Sequence, residues 1–215
     1  MGARTAQAFG RRFEPRQPLA TPKLARGARN DATIASMALK STIFKAELQV
    51  SDLDRNHFGS HSLTIARHPS ETDERMMVRV LAFALNADDA LEFGRGLSSE
   101  GEADLVKRDL TGAIDLWIDV GLPDGREVRK AAGRAREVKV YLYGGRAAGL
   151  WWDENEASLA RLANVSVVEL PPSITAELGA LAQRNMRLDC TIQDGQLWLA
   201  ANGGTLHFEP AVRKP

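Results

Sequence analysis

Between residues 112 and 183 the sequence changes period repeatedly, and this alternation constrains the fold more than any other feature. "GAIDLWIDVG" (112–121), "VKVYLY" (138–143) and "VSVVEL" (165–170) are rich in β-branched and aromatic residues. Stretches of helical pattern lie between and after them, at 124–138, from about 147 to 162, and near 173–183. Strands alternating with helices of this length predict an α/β domain whose mixed sheet has at least one parallel region and is flanked by helices.

Antiparallel elements are expected at both ends of this block. From Thr42 the residues Phe44, Ala46, Leu48 and Val50 alternate with Lys45, Glu47 and Gln49, a half-buried strand, and "SLTIARH" (62–68) completes an N-terminal hairpin. A helix follows, with Ser70 as its N-cap, Asp73 as the capping-box acid, and Met77, Val80, Leu81 and Ala84 on one face. "LEFGRGL" (91–97) reads as a short strand and 98–111 as a polar connection. Near the C-terminus, "RLDCTI", "QLWLA" and "TLHFE" are separated by Asp194-Gly195 and Asn202-Gly203-Gly204, turn chemistry that predicts a β-meander.

At 215 residues and 44% hydrophobic content, the chain is expected to form one substantial domain, 37–215. Residues 1–36 carry seven bases against two acids and three prolines, with neither helical nor strand period. They read as a disordered basic extension, most simply explained by a start assigned too far upstream, with a targeting or nucleic-acid-binding arm as the alternative. Acids and bases balance at 28 each, so total charge points to neither a polyanion clamp nor an acidic solvating chain. The lone Cys190 excludes an internal disulfide and a cysteine zinc cage. No apolar run is long enough for a membrane span, and a cytoplasmic protein is expected.

The two acids of "GAIDLWIDVG" are the first candidates for chemistry. At roughly 3.3 Å per residue, Asp115 and Asp119 lie about 13 Å apart on one strand face, too far to share a metal ion. If the helix beginning at Asp124 folds back along the strand, Lys130 comes level with residues 118–119, which makes Asp119 the better partner. Spacing alone is equally met by a solvent-facing Asp119 and a surface Lys130. Glu74 borders the apolar face of its helix, although acids in a first turn are also favoured by the helix dipole. Glu102 and Asp104, in the polar connection before the acidic strand, could supply another carboxylate, although loop acids are usually just solvated. "YGGRAAG" (143–149) is a strand–glycine turn–helix start suited to a phosphate contact, but it lacks the spacing of a dinucleotide or P-loop motif. No zinc-protease or serine-hydrolase motif is present.

Several segments together resemble the bacterial YaeQ family. "MALKSTIFKAELQVSDLDR", "LTIARHPSETDERMMVRVLAFA", "GAIDLWIDVGLPD", "VRKA", "YGGR", "WW" and "CTIQDGQLWL" occur in its order and close to its spacing. The resemblance implies a variant of the restriction-endonuclease-like core of the PD-(D/E)XK nucleases. Such enzymes gather an acid from the first core helix and acids from the central strands around Mg²⁺ or Mn²⁺, with a lysine near the attacking water. Carried over by position, the metal and catalytic residues are Glu74 from the helix, Asp119 or Asp115 from the strand, and Lys130 as the lysine. One departure stands out: Trp117 follows Asp115 by two and Gly121 follows Asp119 by two, so the D-x-K lysine is missing and Lys130 would have to replace it. The implied function is metal-dependent phosphodiester hydrolysis acting on nucleic acid; the alternative is a catalytically inactive nuclease-fold module that binds protein or nucleic acid.

Overall fold

The structure, a computed structural model, describes residue 2, residues 41–94 and residues 101–215. The chain divides into two units, Met1–Met37 and Ala38–Pro215, and of the first only Gly2 is described. The expectation for residues 1–36 therefore lies outside the described residues, as does the second half of the short strand read at 91–97.

The second unit contains two sheets rather than the single mixed sheet expected from the sequence. In the first, β1 (Thr42–Asp52) and β2 (His57–Arg67) form the predicted hairpin, and β8 (Asn185–Gln193), β9 (Gln196–Ala201) and β10 (Gly204–Phe208) form the predicted meander. The two modules join through a parallel pairing of β1 with β8, giving the order β10-β9-β8-β1-β2. The second sheet runs β11-β7-β6-β5-β4-β3, with β3 (Leu91–Phe93), β4 (Leu105–Arg108) and β5 (Ile114–Val120) antiparallel. The strands β5, β6 (Ala135–Leu142) and β7 (Val165–Glu169) are parallel, connected by α2 (Gly125–Ala132) and α3 (Arg146–Leu159). The alternation at 112–183 thus does encode the parallel region. β11 (Ala211–Lys214) adds an antiparallel edge to β7. Part of the polar connection is β4, too short and too charged to show a strand period.

Helix α1 (Asp73–Leu85) lies between the two sheets. Its core cluster draws Leu48 and Ile65 from the first sheet and Leu105, Ile118 and Tyr141 from the second, while α4 (Pro172–Ala180) packs along its side. Every residue from Met76 to Ala84 is buried, which is why a single apolar face understates this helix: a helix enclosed on all sides needs apolar residues all round. The opposite face of the second sheet, with Trp117, Val138 and Val140, is covered by Val128 of α2 and by Ala148, Trp151 and Leu159 of α3. Trp151 belongs to that core and donates its indole N–H to the Pro123 carbonyl at 2.6 Å. Among the described residues no helix is long and apolar enough to cross a membrane.

The start of α1 falls two residues later than the sequence suggests. Thr72, not Ser70, is the N-cap, its hydroxyl accepting from the Arg75 backbone N–H at 3.1 Å. Residues 68–71 instead make a turn closed by the Glu71 N–H to the His68 carbonyl, which brings the Glu71 side chain under the helix towards two arginines. Replacing Thr72 by alanine is expected to cost about 1 kcal/mol. In a domain of this size that lowers the midpoint of a thermal melt by about 2–4 °C, whereas Ser70→Ala leaves it unchanged.

Candidate functional site

The C-terminal end of β5, the residue preceding β4 and the first turns of α1 meet in a buried ionic cluster. Asp119 points to the Trp117 face of β5 and is 7% exposed. Asp104 stands just before β4, opposite the end of β5, and is also buried. Its N–H donates to the Ile118 carbonyl at 2.9 Å, and its Oδ2 accepts from the Val120 N–H at 2.8 Å, so the ladder itself fixes the carboxylate. Oδ1 accepts from Arg75 Nη2 at 2.6 Å.

Arg75 also donates through Nη1 to Glu71 at 2.9 Å, and Arg79, one turn further along α1, donates to both Glu71 oxygens at 3.2 Å. Arg79 is fully enclosed, stacks its guanidinium 5.4 Å over the Phe93 ring, and donates to the Gly94 carbonyl at 3.1 Å. Arg75 and Arg79, four residues apart, share one face of α1, and the turn before the helix brings Glu71 to that face.

Three acids, Glu71, Asp104 and Asp119, face two arginines. With Asp119 protonated the cluster is neutral; with it ionised the cluster carries one buried negative charge. Burial pushes the Asp119 carboxyl up to about 7. The Trp117 indole pulls downward, the Asp104 charge pushes further up, and the Asp104 backbone N–H and Arg75 pull down again. Trp117 Nε1 has no hydrogen-bond partner of ordinary geometry, so its pull is that of a nearby dipole. Tyr143 sits beside the cluster: its phenol is raised to about 12 by burial, with Arg75 opposing and the charges of Glu74, Asp104 and Glu71 reinforcing. Glu74 therefore borders the same neighbourhood, its backbone pressed against α4 at Gly179, where an added Cβ would lie 3.1 Å from the Glu74 Cα.

The other two residues singled out by sequence lie elsewhere. Lys130, in the last turn of α2, pairs with Glu127 at 2.5 Å and its side chain is 65% exposed. Asp115 pairs with Arg136 at 2.8 Å near the start of β5, where Arg136 also meets Asp109. The missing D-x-K lysine after Asp119 has a conformational reason. Gly121 has φ of 93°, a left-handed backbone that side chains rarely tolerate.

Asp104 and Glu71 are what sequence reasoning missed. Asp104 looked like a solvated loop acid because β4 was not recognised beyond it. A signal for the rest was present: Arg75 and Arg79 recur four residues apart in the otherwise apolar "RMMVRVLAF", a pattern that places a buried arginine in the core and calls for a buried acid.

Residues 37–210 match the family model described as YaeQ protein. The chain belongs to the YaeQ family. It is 49% identical over 173 residues to the uncharacterised YaeQ protein of Salmonella typhi, covering 80% of this chain and 96% of that one. Its Escherichia coli (strain K12) counterpart is 48% identical over 170 residues, covering 79% and 94%. The crystal structure of the YaeQ protein from Xanthomonas axonopodis pv. citri superposes with a TM-score of 0.79 at 54% identity, over 81% of this chain and 98% of that one. The YaeQ structure from Pseudomonas syringae gives 0.78 at 32% identity, over 81% and 97%. Two sheets enclosing a central helix are thus the YaeQ fold.

Proposed function

We propose that the Asp104–Asp119 cluster is the centre of a Mg²⁺- or Mn²⁺-dependent phosphodiesterase acting on nucleic acid. The observation that carries this reading is the pair of buried carboxylates at and opposite the end of a central strand, one of them, Asp119, raised to about 7 by burial. The negative charge of the cluster with Asp119 ionised is one a divalent cation would relieve. Among the described residues no cluster of three or more metal-binding side chains exists. Mg²⁺ sites fit this donor set, because they are commonly built from one or two carboxylates completed by water and substrate phosphate. Asp104 and Asp119 would hold the ion, with Glu74 of α1 bordering the site, and the ion would supply Lewis-acid polarisation of a phosphoryl oxygen.

The chain's own residues account for the rest. The Asp119 carboxyl, whose charge burial disfavours in the metal-free protein, would give up its proton as the ion binds, the part of a ligand rather than of a base. Arg75, tethered by Glu71 and Asp104, keeps a positive charge beside both acids and limits their mutual repulsion. The reading keeps Asp119 and the neighbouring Glu74 from the site that the PD-(D/E)XK resemblance implies, adds Asp104, and omits Lys130 and Asp115.

The purified protein is to be incubated with single- and double-stranded DNA and RNA and each metal. Asp119→Asn and Asp104→Asn are expected to lower cleavage by roughly 10²-fold or more, while Lys130→Ala and Asp115→Asn, which alter other ion pairs, leave it unchanged. Cleavage that survives in both Asn variants would overturn the assignment. A second reading, a nuclease-fold module without catalysis that binds protein or nucleic acid, is favoured by the glycine at the D-x-K position and by Lys130 engaging Glu127. It is distinguished by binding without turnover.

A further inference from the structure

A second site lies on β2, remote from the acids in chemical character. His57, Gly59 and His61 occupy alternate positions and share one face of the strand. Gly59 leaves a gap there, and both imidazoles lean over it: a Cβ added at Gly59 would stand 2.9 Å from His61 Nε2 and 3.2 Å from His57 Nε2. The rings are nearly parallel, 12° apart, with centroids separated by 5.9 Å. Neither Nε2 has a hydrogen-bond partner, although both are shielded from solvent, and His61 as a whole is 8% exposed. Two shielded and unpaired imidazole nitrogens facing one gap are costly unless something fills it.

The remote side of His61 fixes which nitrogen is available. Its ring packs edge-on against Phe83 at 5.2 Å, and Nδ1 faces the Asp89 carboxylate at 3.8 Å. That charge, although too far for a hydrogen bond and exposed to solvent, favours the proton on Nδ1, which leaves the Nε2 lone pair on the side of the gap. Asp88 and Asp89 line the adjoining cavity of about 400 Å³ and make it attractive to cations.

We propose that His57 and His61 form a binding site for a divalent transition-metal ion of the Zn²⁺ class, seated over Gly59. Imidazole nitrogens select such ions over Mg²⁺, which prefers the oxygen donors of the Asp104–Asp119 cluster. The rings are nearly parallel in the metal-free protein, so bond lengths of about 2.0–2.1 Å require both imidazoles to turn and close on an ion seated outward of the Gly59 backbone. Solvent completes the coordination, and the site does not depend on the phosphodiesterase reading.

Isothermal titration of the tag-free full chain with Zn²⁺ near neutral pH tests this. Wild type and Asp119→Asn are expected to bind one ion alike, and excess Mg²⁺ does not compete. His57→Gln and His61→Gln each weaken binding by roughly tenfold or more. Gly59→Ala, which retains both histidines and fills the gap, weakens it as well; this variant and the partly exposed His57→Gln decide the matter if His61→Gln perturbs folding. Absence of Zn²⁺ uptake by the wild type, or uptake unchanged in His57→Gln and Gly59→Ala, overturns the site.

Discussion

Arg79→Met lowers the stability of the domain by about 3–5 kcal/mol, the largest loss expected from any single substitution in the ionic cluster. The methionine fills much of the same volume and suits a helix, so neither a large cavity nor lost helix propensity accounts for the effect. What remains is the Glu71 carboxylate, with no exposed side-chain surface, deprived of one of its two arginines. The Gly94 and Ala66 carbonyls lose a donor at the same time. In urea the transition midpoint should fall by roughly 1–2 M with its slope unchanged. The double variant Arg79→Met/Glu71→Leu is expected to be more stable than Arg79→Met alone, because the stranded charge is removed with its partner. A double variant as unstable as the sum of the two single changes would show that the residues do not act as a pair.

Asp119→Asn is expected to do the reverse, and only at the alkaline end. In the unfolded chain this carboxyl titrates near 3.8, and in the folded one near 7. The folded state therefore binds the extra proton between those values. The stabilisation linked to that proton is complete below pH 3.8, declines as pH rises, and is gone above about 7. An upper bound on the change across the window is roughly 4 kcal/mol. The asparagine variant lacks this dependence: it should match the wild type near pH 4 and exceed its stability by about 2–4 kcal/mol at pH 8. Chemical denaturation at a series of pH values measures this directly, and parallel pH profiles for the two proteins would refute it. If the cluster takes a divalent cation, Mn²⁺ at pH 8 stabilises the wild type and leaves Asp119→Asn unaffected.

These expectations rest on residues that differ in how readily sequence discloses them. The hairpin, the meander and the βα alternation were legible because local periodicity and turn chemistry encode them: the Asp194-Gly195 turn, for instance, has the left-handed backbone its residues allow. The division into two sheets was not legible, since the β1–β8 pairing joins residues far apart in the chain and leaves no local trace. The candidate site followed the same rule. Asp119 and Glu74 could be singled out from pattern and resemblance, whereas Asp104 owes its burial to a four-residue strand and to an arginine from a distant helix. Lys130 was placed by assuming that α2 folds straight back along β5, but its partner proved to be a neighbour on its own helix.

The parallel pairing of β1 with β8 carries a consequence for biosynthesis. On a ribosome, β1 and β2 emerge early and can zip together at once, but the second edge of β1 has no partner until residue 185 and beyond have left the exit tunnel. Throughout that interval the nascent hairpin shows an open strand edge and half of the surface that will enclose α1, the state in which chains are most open to wrong partners. Completion of the first sheet thus waits on residues 185–208, long after the hairpin has been made. A chain halted before β8 would leave the edge of β1 unpaired and the core around α1 without Leu188, Leu197 and Phe208, so productive folding waits on the meander.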